Sequence, residues 1–332
     1  MRRLPIYFLI DVSASMAGDP IAQVEKGMHV ILQELRSNPY ALETAHIGII
    51  IFAEQQILLS PLTELYAFQP PSFPIGGGTA LGGALRALMR EIDASVQKTT
   101  AEKKGDWQPL VFLFTDGEPT DAPGRAIAAW NEKYRRRCRL VAVAIGESVD
   151  TTRLCTLTDD VLRLKETSPE AFRQFFQWIS ASIQTSSVCI ASDGAQDVPL
   201  PEADGAVLEK IEQGSPRPVF SAPDTWAIFL DRCPSSGKLY LIKYGRQPQG
   251  EGLLKKLLAS STSYHLVGAY PLDEPMWNKL SAGQRIPSSL SELGDSLVNM
   301  LRDKLTSQQR ISGDSLRGIP SCPYCSGRHF SP

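Results

Sequence analysis

The sequence has no surplus of charge of either sign, no long apolar run and few cysteines, and each scarcity removes a class of function. Lys plus Arg number 34 against 36 Asp plus Glu, a net charge of −2. That balance gives no electrostatic case for nucleic acid or an anionic membrane as the main partner. The apolar runs, such as residues 47–53, fall far short of the roughly 20 residues that span a bilayer, so no membrane span is expected. Six cysteines in 332 residues are too scattered for a disulfide framework. The run 4–10 behind Arg2 and Arg3 imitates a short signal sequence. Asp11 interrupts it, and no small-residue cleavage site follows directly, so a buried first strand is the better reading. A reducing, cytoplasmic setting is the expectation. What remains is ordinary globular composition, 42% apolar and 21% charged, in a chain long enough for two domains at about 150 residues each. Internal repeats and low-complexity tracts are absent from the sequence.

The first half alternates short apolar runs with amphipathic stretches. Residues 5–10, 46–52, 110–115, 140–145 and 161–164 read as strands. Helical spacing runs through Ile21, Val24, Met28, Ile31 and Leu35, through Leu81, Leu85, Leu88 and Ile92, and through Ile127, Trp130 and Tyr134. Ser168-Pro169 opens a further helix with Phe172, Phe175, Phe176 and Ile179 on one face. Strands without polar alternation are buried on both faces, and their alternation with helices predicts a doubly wound α/β domain around a mostly parallel sheet. On such sheets ligands bind beyond the carboxyl ends of the strands, at the topological switch point.

Three segments bring oxygen atoms to that edge. Asp11, Ser13 and Ser15 follow the first strand, Thr79 follows three glycines and precedes the second amphipathic helix, and Asp116 with Gly117 follows the strand 110–115. All are hard ligands and hydroxyls outnumber carboxylates, which suits Mg²⁺, or Mn²⁺, with an open position for an outside ligand. The glycine run lacks the Gly-Lys-Ser/Thr of a phosphate loop, and no Ser lies in a Gly-x-Ser-x-Gly turn. Glu118 and Asp121 lie close enough to tune the site or touch a partner, with a solvated surface role the favoured reading, and His29 and His46 read as ordinary surface or core histidines.

These motifs resemble a von Willebrand factor A domain, with Asp11, Ser13, Ser15, Thr79 and Asp116 matching its metal-ion-dependent adhesion site. The segments 1–7, 39–44, 77–82, 104–112 and 115–121 further resemble bacterial TerY-like proteins of tellurite-resistance and stress gene clusters. The resemblance covers residues 1–187. It implies a non-enzymatic adaptor in which a partner's carboxylate completes the shell of a Mg²⁺ ion. It also implies a Ser/Thr kinase and a metal-dependent protein phosphatase as partners. The rival from another class is a metal-dependent phosphate-ester hydrolase using Asp11 or Asp116, for which the sequence offers no paired acid and base. Nucleic-acid binding by the C-terminal part is a third reading, weakened by the absence of a basic cluster.

Residues 188–218 change texture: they are acidic, carry four prolines and read as a linker with one helical turn near 206–211. Beyond it, 226–230 and 239–244 read as strands around the turn at Cys233, 253–259 as a short helix, 264–267 as a strand, and 290–305 as a leucine-rich helix. Residues 219–332 are therefore expected to form a small α+β domain. Cys322-Pro323-Tyr324-Cys325 has the spacing at which two thiolates reach one zinc ion. The remaining ligands are sought among Cys233, His265 and His329, in the order Cys233, then His265, because His329 lies at a terminus. A C-terminal metal-binding domain also accompanies some TerY-like proteins, so Zn²⁺ on Cys322, Cys325, Cys233 and His265 is the expectation. Cys138, Cys155 and Cys189 read as incidental thiols.

Overall fold

Four apolar runs form the centre of the sheet because each has hydrophobic side chains on both faces and can be satisfied only inside a covered sheet. In a computed structural model they are β1 (Leu4–Asp11), β2 (Ala45–Phe52), β4 (Leu110–Thr115) and β5 (Arg139–Ile145), buried along almost their whole length. The structure describes residues 2–146, 149, 151–165, 168–191, 201, 208–211, 226–246, 263–272 and 315–330. Two compact units are distinguished: Met1–Phe73 with Gly78–Arg217, and Pro218–Pro332 with Pro74–Gly77.

The first unit holds a seven-stranded sheet completed by β3 (Gln56–Glu64), β6 (Asp160–Leu164) and β7 (Leu208–Ile211), in the order β3-β2-β1-β4-β5-β6-β7. The five central strands are parallel, and β3 and β7 run antiparallel at the two edges. The helices are α1 (Asp19–Arg36), α2 (Pro39–Thr44), α3 (Leu81–Ser95), α4 (Gly124–Lys133), α5 (Thr152–Leu157) and α6 (Pro169–Ala191). Because β1 lies between β2 and β4, the chain leaves β1 to one side and returns to the other. The carboxyl ends of β1 and β4 thus flank the switch point, the place where open α/β sheets bind ligands. No helix among the described residues is long and apolar enough to cross a membrane.

Residues 188–218 are not simply a linker. They contribute β7, which pairs Leu208 with Leu164 and Ile211 with Val161, and the first unit runs to Arg217. Leu208 and Ile211 are buried while Glu209 and Lys210 are exposed. Two apolar residues three apart also fit one helical turn, which is why the sequence suggested a helix there. Strand β3 also went unread: an edge strand carrying Pro61, with register shifts against β2, has no clean alternation.

An arginine and an aspartate pin the start of β1 to the segment before β4. The nearly fully buried Asp106 carboxylate accepts from Arg3 Nε (2.9 Å) and from the Gln97 backbone N–H (2.7 Å), while Arg3 Nη2 also donates to Ser95 O (2.7 Å). Asp106→Asn sets an amide against these donors. It should lower stability by about 2–4 kcal/mol and Tm by roughly 5–15 °C. Thermal unfolding checks this, and a fall of under about 2 °C contradicts it.

The second unit contains β8 (Trp226–Arg232), β9 (Leu239–Arg246), β10 (Tyr264–Pro271) and β11 (Leu316–Arg317), in the order β11-β10-β9-β8, antiparallel except for the β10–β11 pair. Its small core gathers Ala227, Tyr240, Ile242, Tyr244 and Tyr264 around Cys233 and Cys322. The helices expected at 253–259 and 290–305 lie outside the described residues.

Candidate metal centres

Asp11 ends β1 and is fully buried. Its carboxylate accepts from the Ser13 backbone N–H (2.9 Å) on one oxygen and from the Thr115 hydroxyl (2.7 Å) on the other. The chain then makes a single 3₁₀ turn, Ala14–Met16. It leaves Ser13 Oγ 3.0 Å from Ser15 Oγ, and Ser15 Oγ donates to Asp116 Oδ1 at 2.7 Å. Val12 N–H donates to Phe52 O at 2.9 Å and holds this loop against the end of β2. The third loop is located through Gly117, where a Cβ would stand 3.6 Å from Ser15 Oγ and 3.8 Å from Thr79 Oγ1. Residues 11, 13, 15, 79 and 116, taken from three distant parts of the sequence, therefore converge at the carboxyl ends of β1 and β4.

The electrostatics suit a cation. Burial, and then the neighbouring Asp116 carboxylate, push the Asp11 carboxyl well above the ordinary carboxylate range, toward neutrality. Two carboxylates and three hydroxyls, all hard oxygens, form a donor set that fits Mg²⁺ or Mn²⁺. Because the folded pKa of Asp11 is raised, its contribution to stability in metal-free protein is present at low pH. It is lost as pH rises from the ordinary carboxylate range through the folded value. In chelator the Tm should therefore fall between about pH 4 and pH 7, and saturating Mg²⁺ should flatten the slope by keeping both carboxylates ionised. A chelated Tm that rises over this interval contradicts the account. Thr115, which the sequence reading did not single out as a site residue, belongs to the site as the donor to Asp11. Asp121 is not a free surface carboxylate: it accepts from the backbone N–H groups of Gly82 (3.1 Å) and Gly83 (3.0 Å). His46 Nδ1 lies 3.1 Å from Thr44 O, in keeping with a structural role.

The second candidate centre is built from two turns of the same geometry. In one, Gly237 N–H donates to Cys233 O (2.8 Å), Cys233 N–H donates to Lys238 O (2.9 Å), and Gly237 has φ +70°. In the other, Ser326 N–H donates to Cys322 O (2.8 Å), Cys322 N–H donates to Gly327 O (2.8 Å), and Ser326 has φ +59°. Both turns thus point their amides back toward a cysteine, and Ser236 stands where Cys325 stands in the other turn. The thiol sulfurs of Cys233, Cys322 and Cys325 lie within 4.8 Å of one another. Hydrogen bonding from Ser236 lowers the Cys233 thiol below the ordinary range, which favours the thiolate that a metal needs.

The fourth expected ligand is corrected. His265 is exposed on β10 and is not one of this group. Tyr264 points into the core beside Cys233 and Cys322, and alternation along a strand sends the next side chain to the opposite face. His329 also stands outside the group of three sulfurs, but its Nε2 is 3.2 Å from Cys325 Sγ. The three thiols are donors of the kind that tetrahedral Zn²⁺ takes, and His329 is the imidazole beside them.

Residues 6–176 match the family model described as the von Willebrand factor type A domain. Over 164 residues, 46% of this chain, the sequence is 29% identical to inter-alpha-trypsin inhibitor heavy chain H6 of Homo sapiens. Over 120 residues, 35% of this chain, it is 32% identical to heavy chain H1 of Bos taurus. The matches span only 12% and 13% of those relatives. Among solved structures, the ArnB paralog VWA2 from Sulfolobus acidocaldarius is similar at 17% identity and a TM-score of 0.41, covering 55% of this chain and 45% of that one. Proximal thread matrix protein 1 from the mussel byssus, with a zinc-occupied adhesion motif, is similar at 17% identity and a TM-score of 0.39, covering 54% and 48%.

Proposed function

Since the chain belongs to the von Willebrand factor type A domain family, we propose that it is a non-enzymatic adaptor that captures partner proteins through a divalent ion held by Asp11, Ser13, Ser15, Thr79 and Asp116. The observation that carries this reading is the convergence of those oxygens around a fully buried carboxylate whose nearest charged neighbour is another carboxylate. A bound Mg²⁺ or Mn²⁺ supplies an open coordination position for a carboxylate from the partner. The protein's own contribution is to place the donors. Thr115 and the Ser13 amide orient Asp11, and the Ser13 and Ser15 hydroxyls turn toward one point. With few direct carboxylates, such a site stays electrophilic and favours an acidic side chain from outside.

The resemblance of the segments 1–7, 39–44, 77–82, 104–112 and 115–121 to TerY-like proteins supports a narrower reading. In it the partners are a Ser/Thr kinase and a metal-dependent protein phosphatase, within a bacterial tellurite-resistance, stress or defence system in the cytoplasm. The second unit takes Zn²⁺ on Cys233, Cys322, Cys325 and His329 as a structural ion, because a small core gains most from such a clip.

The test is capture from native-source lysate by the full chain, in Mg²⁺ and in chelator, with retained proteins identified by mass spectrometry. A kinase or phosphatase retained only with Mg²⁺ is the expected result. Turnover of a phosphate ester that Asp116→Ala abolishes would instead make the protein a hydrolase.

A further inference from the structure

The loop carrying Thr79 is gripped by two residues outside the five oxygen donors. Thr79 N–H donates to Thr120 Oγ1 at 2.8 Å, and Thr120 N–H donates back to Thr79 O at 2.9 Å. Both backbone groups of residue 79 are thus held by residue 120. One residue further, the two Asp121 oxygens accept from the first-turn amides of α3 at Gly82 and Gly83. The N-cap of α3 is Ala80, which makes no side-chain cap, and a helix start leaves four N–H groups to be satisfied from elsewhere. Asp121 supplies that cap from a distant part of the chain.

The sequence is shaped around this contact. A Cβ on Gly82 would lie 2.8 Å from Asp121 Oδ2 and 2.9 Å from Pro123 Cα. Gly78 has φ +71°, and a Cβ there would lie 3.2 Å from Thr120 Oγ1. Ala80 N–H, on the other side of the loop, donates to Ala53 O at 2.6 Å, at the end of β2. Residues 116–121 therefore run as a strap from one oxygen donor, Asp116, to a clasp on the backbone of another, Thr79.

We propose that Thr120 and Asp121 are positioning residues of the metal site, clasping the Thr79 loop to the Asp116 loop and so fixing the separation between donors from two parts of the chain. The inference rests on the metal-ion reading above. Partners one step removed from metal ligands typically change affinity 10–100-fold when lost. Thr120→Val keeps the shape and backbone but removes the acceptor for Thr79 N–H. Thr120→Ser restores that acceptor, and Asp121→Asn keeps one of two.

The experiment is calorimetric titration of the full chain with Mn²⁺ for the parent, Thr120→Val, Thr120→Ser, Asp121→Asn and Asp116→Ala, with the Tm of each in chelator. Thr120→Val should bind about 10-fold more weakly than the parent, Thr120→Ser within about twofold of it, and Asp121→Asn in between. A purely structural role would lower the chelated Tm and leave affinity unmoved. Parent-like affinity in Thr120→Val overturns the proposal, and so does a Thr120→Ser as weak as Thr120→Val. If Thr120→Val does not fold, Asp121→Asn decides in the same way. A parent that binds no Mn²⁺, or an Asp116→Ala that binds it like the parent, overturns the metal-ion reading itself and the clasp with it.

Discussion

Asp116→Ala is expected to erase the stabilisation that Mg²⁺ gives the parent protein. An ion present at 100 times its dissociation constant stabilises the folded state by about 2.7 kcal/mol, or roughly 5–10 °C in Tm for a unit of this size. Removing Asp116 deletes a carboxylate and leaves Ser15 Oγ without the acceptor it uses at 2.7 Å, so the gain should fall below about 1 °C. Asp11 is buried beside Asp116, and an unpaired buried charge costs several kcal/mol. Asp11→Asn keeps an oxygen for the Ser13 amide, while its amide group can donate to Thr115 Oγ1. In chelator at pH 8 that variant should therefore be at least as stable as the parent, yet lose the response to Mg²⁺. Destabilised metal-free protein together with an intact Mg²⁺ response would contradict this account of the cluster. Differential scanning fluorimetry with and without the ion reads both variants.

Zinc removal should have the other large effect, confined to the second unit. Structural zinc contributes about 10–16 kcal/mol of apparent binding energy in small zinc domains, more than a core of this size supplies alone. The described core of this unit includes Cys233 and Cys322 themselves, so a zinc ion held there would clip the β8–β9 turn to the turn at Cys322, and its removal would release both. Native mass spectrometry should find one zinc per chain under non-chelating conditions. Cys322→Ser should lose it and expose the unit to proteolysis. His329→Ala should weaken binding by at least about 10-fold, given that one of four ligands is gone, whereas His265→Ala should leave it unchanged. The reverse pattern between the two histidines would reinstate His265 as the ligand and refute the geometry at Cys325.

Much of this was legible in the sequence wherever a single physical signal dominated. The strands β1, β2, β4 and β5 announce themselves as apolar runs because both of their faces are covered, and α1 and α3 by apolar residues at helical spacing. The convergence of the five oxygen-bearing side chains was legible only from three segments taken together, because an Asp-x-Ser-x-Ser turn alone is as readily a helix N-cap region, whereas three such segments at parallel strand ends share one edge. What stayed hidden depends on partners distant in sequence. Strand β7 needs β6 beside it to be a strand at all, since Leu208-Glu209-Lys210-Ile211 is equally consistent with a helical turn. Asp121 looks like any surface acid until α3 presents two unsatisfied amides to it. The zinc ligands likewise depend on placement: sequence spacing alone does not show that His265 is exposed on β10, on the opposite face from Tyr264. His329 was set aside for lying near the terminus, although the turn at Ser326 folds it back onto Cys325.

The most direct test of the central claim is capture of partner proteins by the parent and by Asp116→Ala, side by side, as Mg²⁺ is raised from chelated to millimolar levels. The account predicts recovery that climbs with Mg²⁺ for the parent and stays at background for the mutant, with both proteins folded. Equal recovery by the two proteins at every Mg²⁺ level would contradict it, and would move partner binding away from the carboxyl ends of β1 and β4.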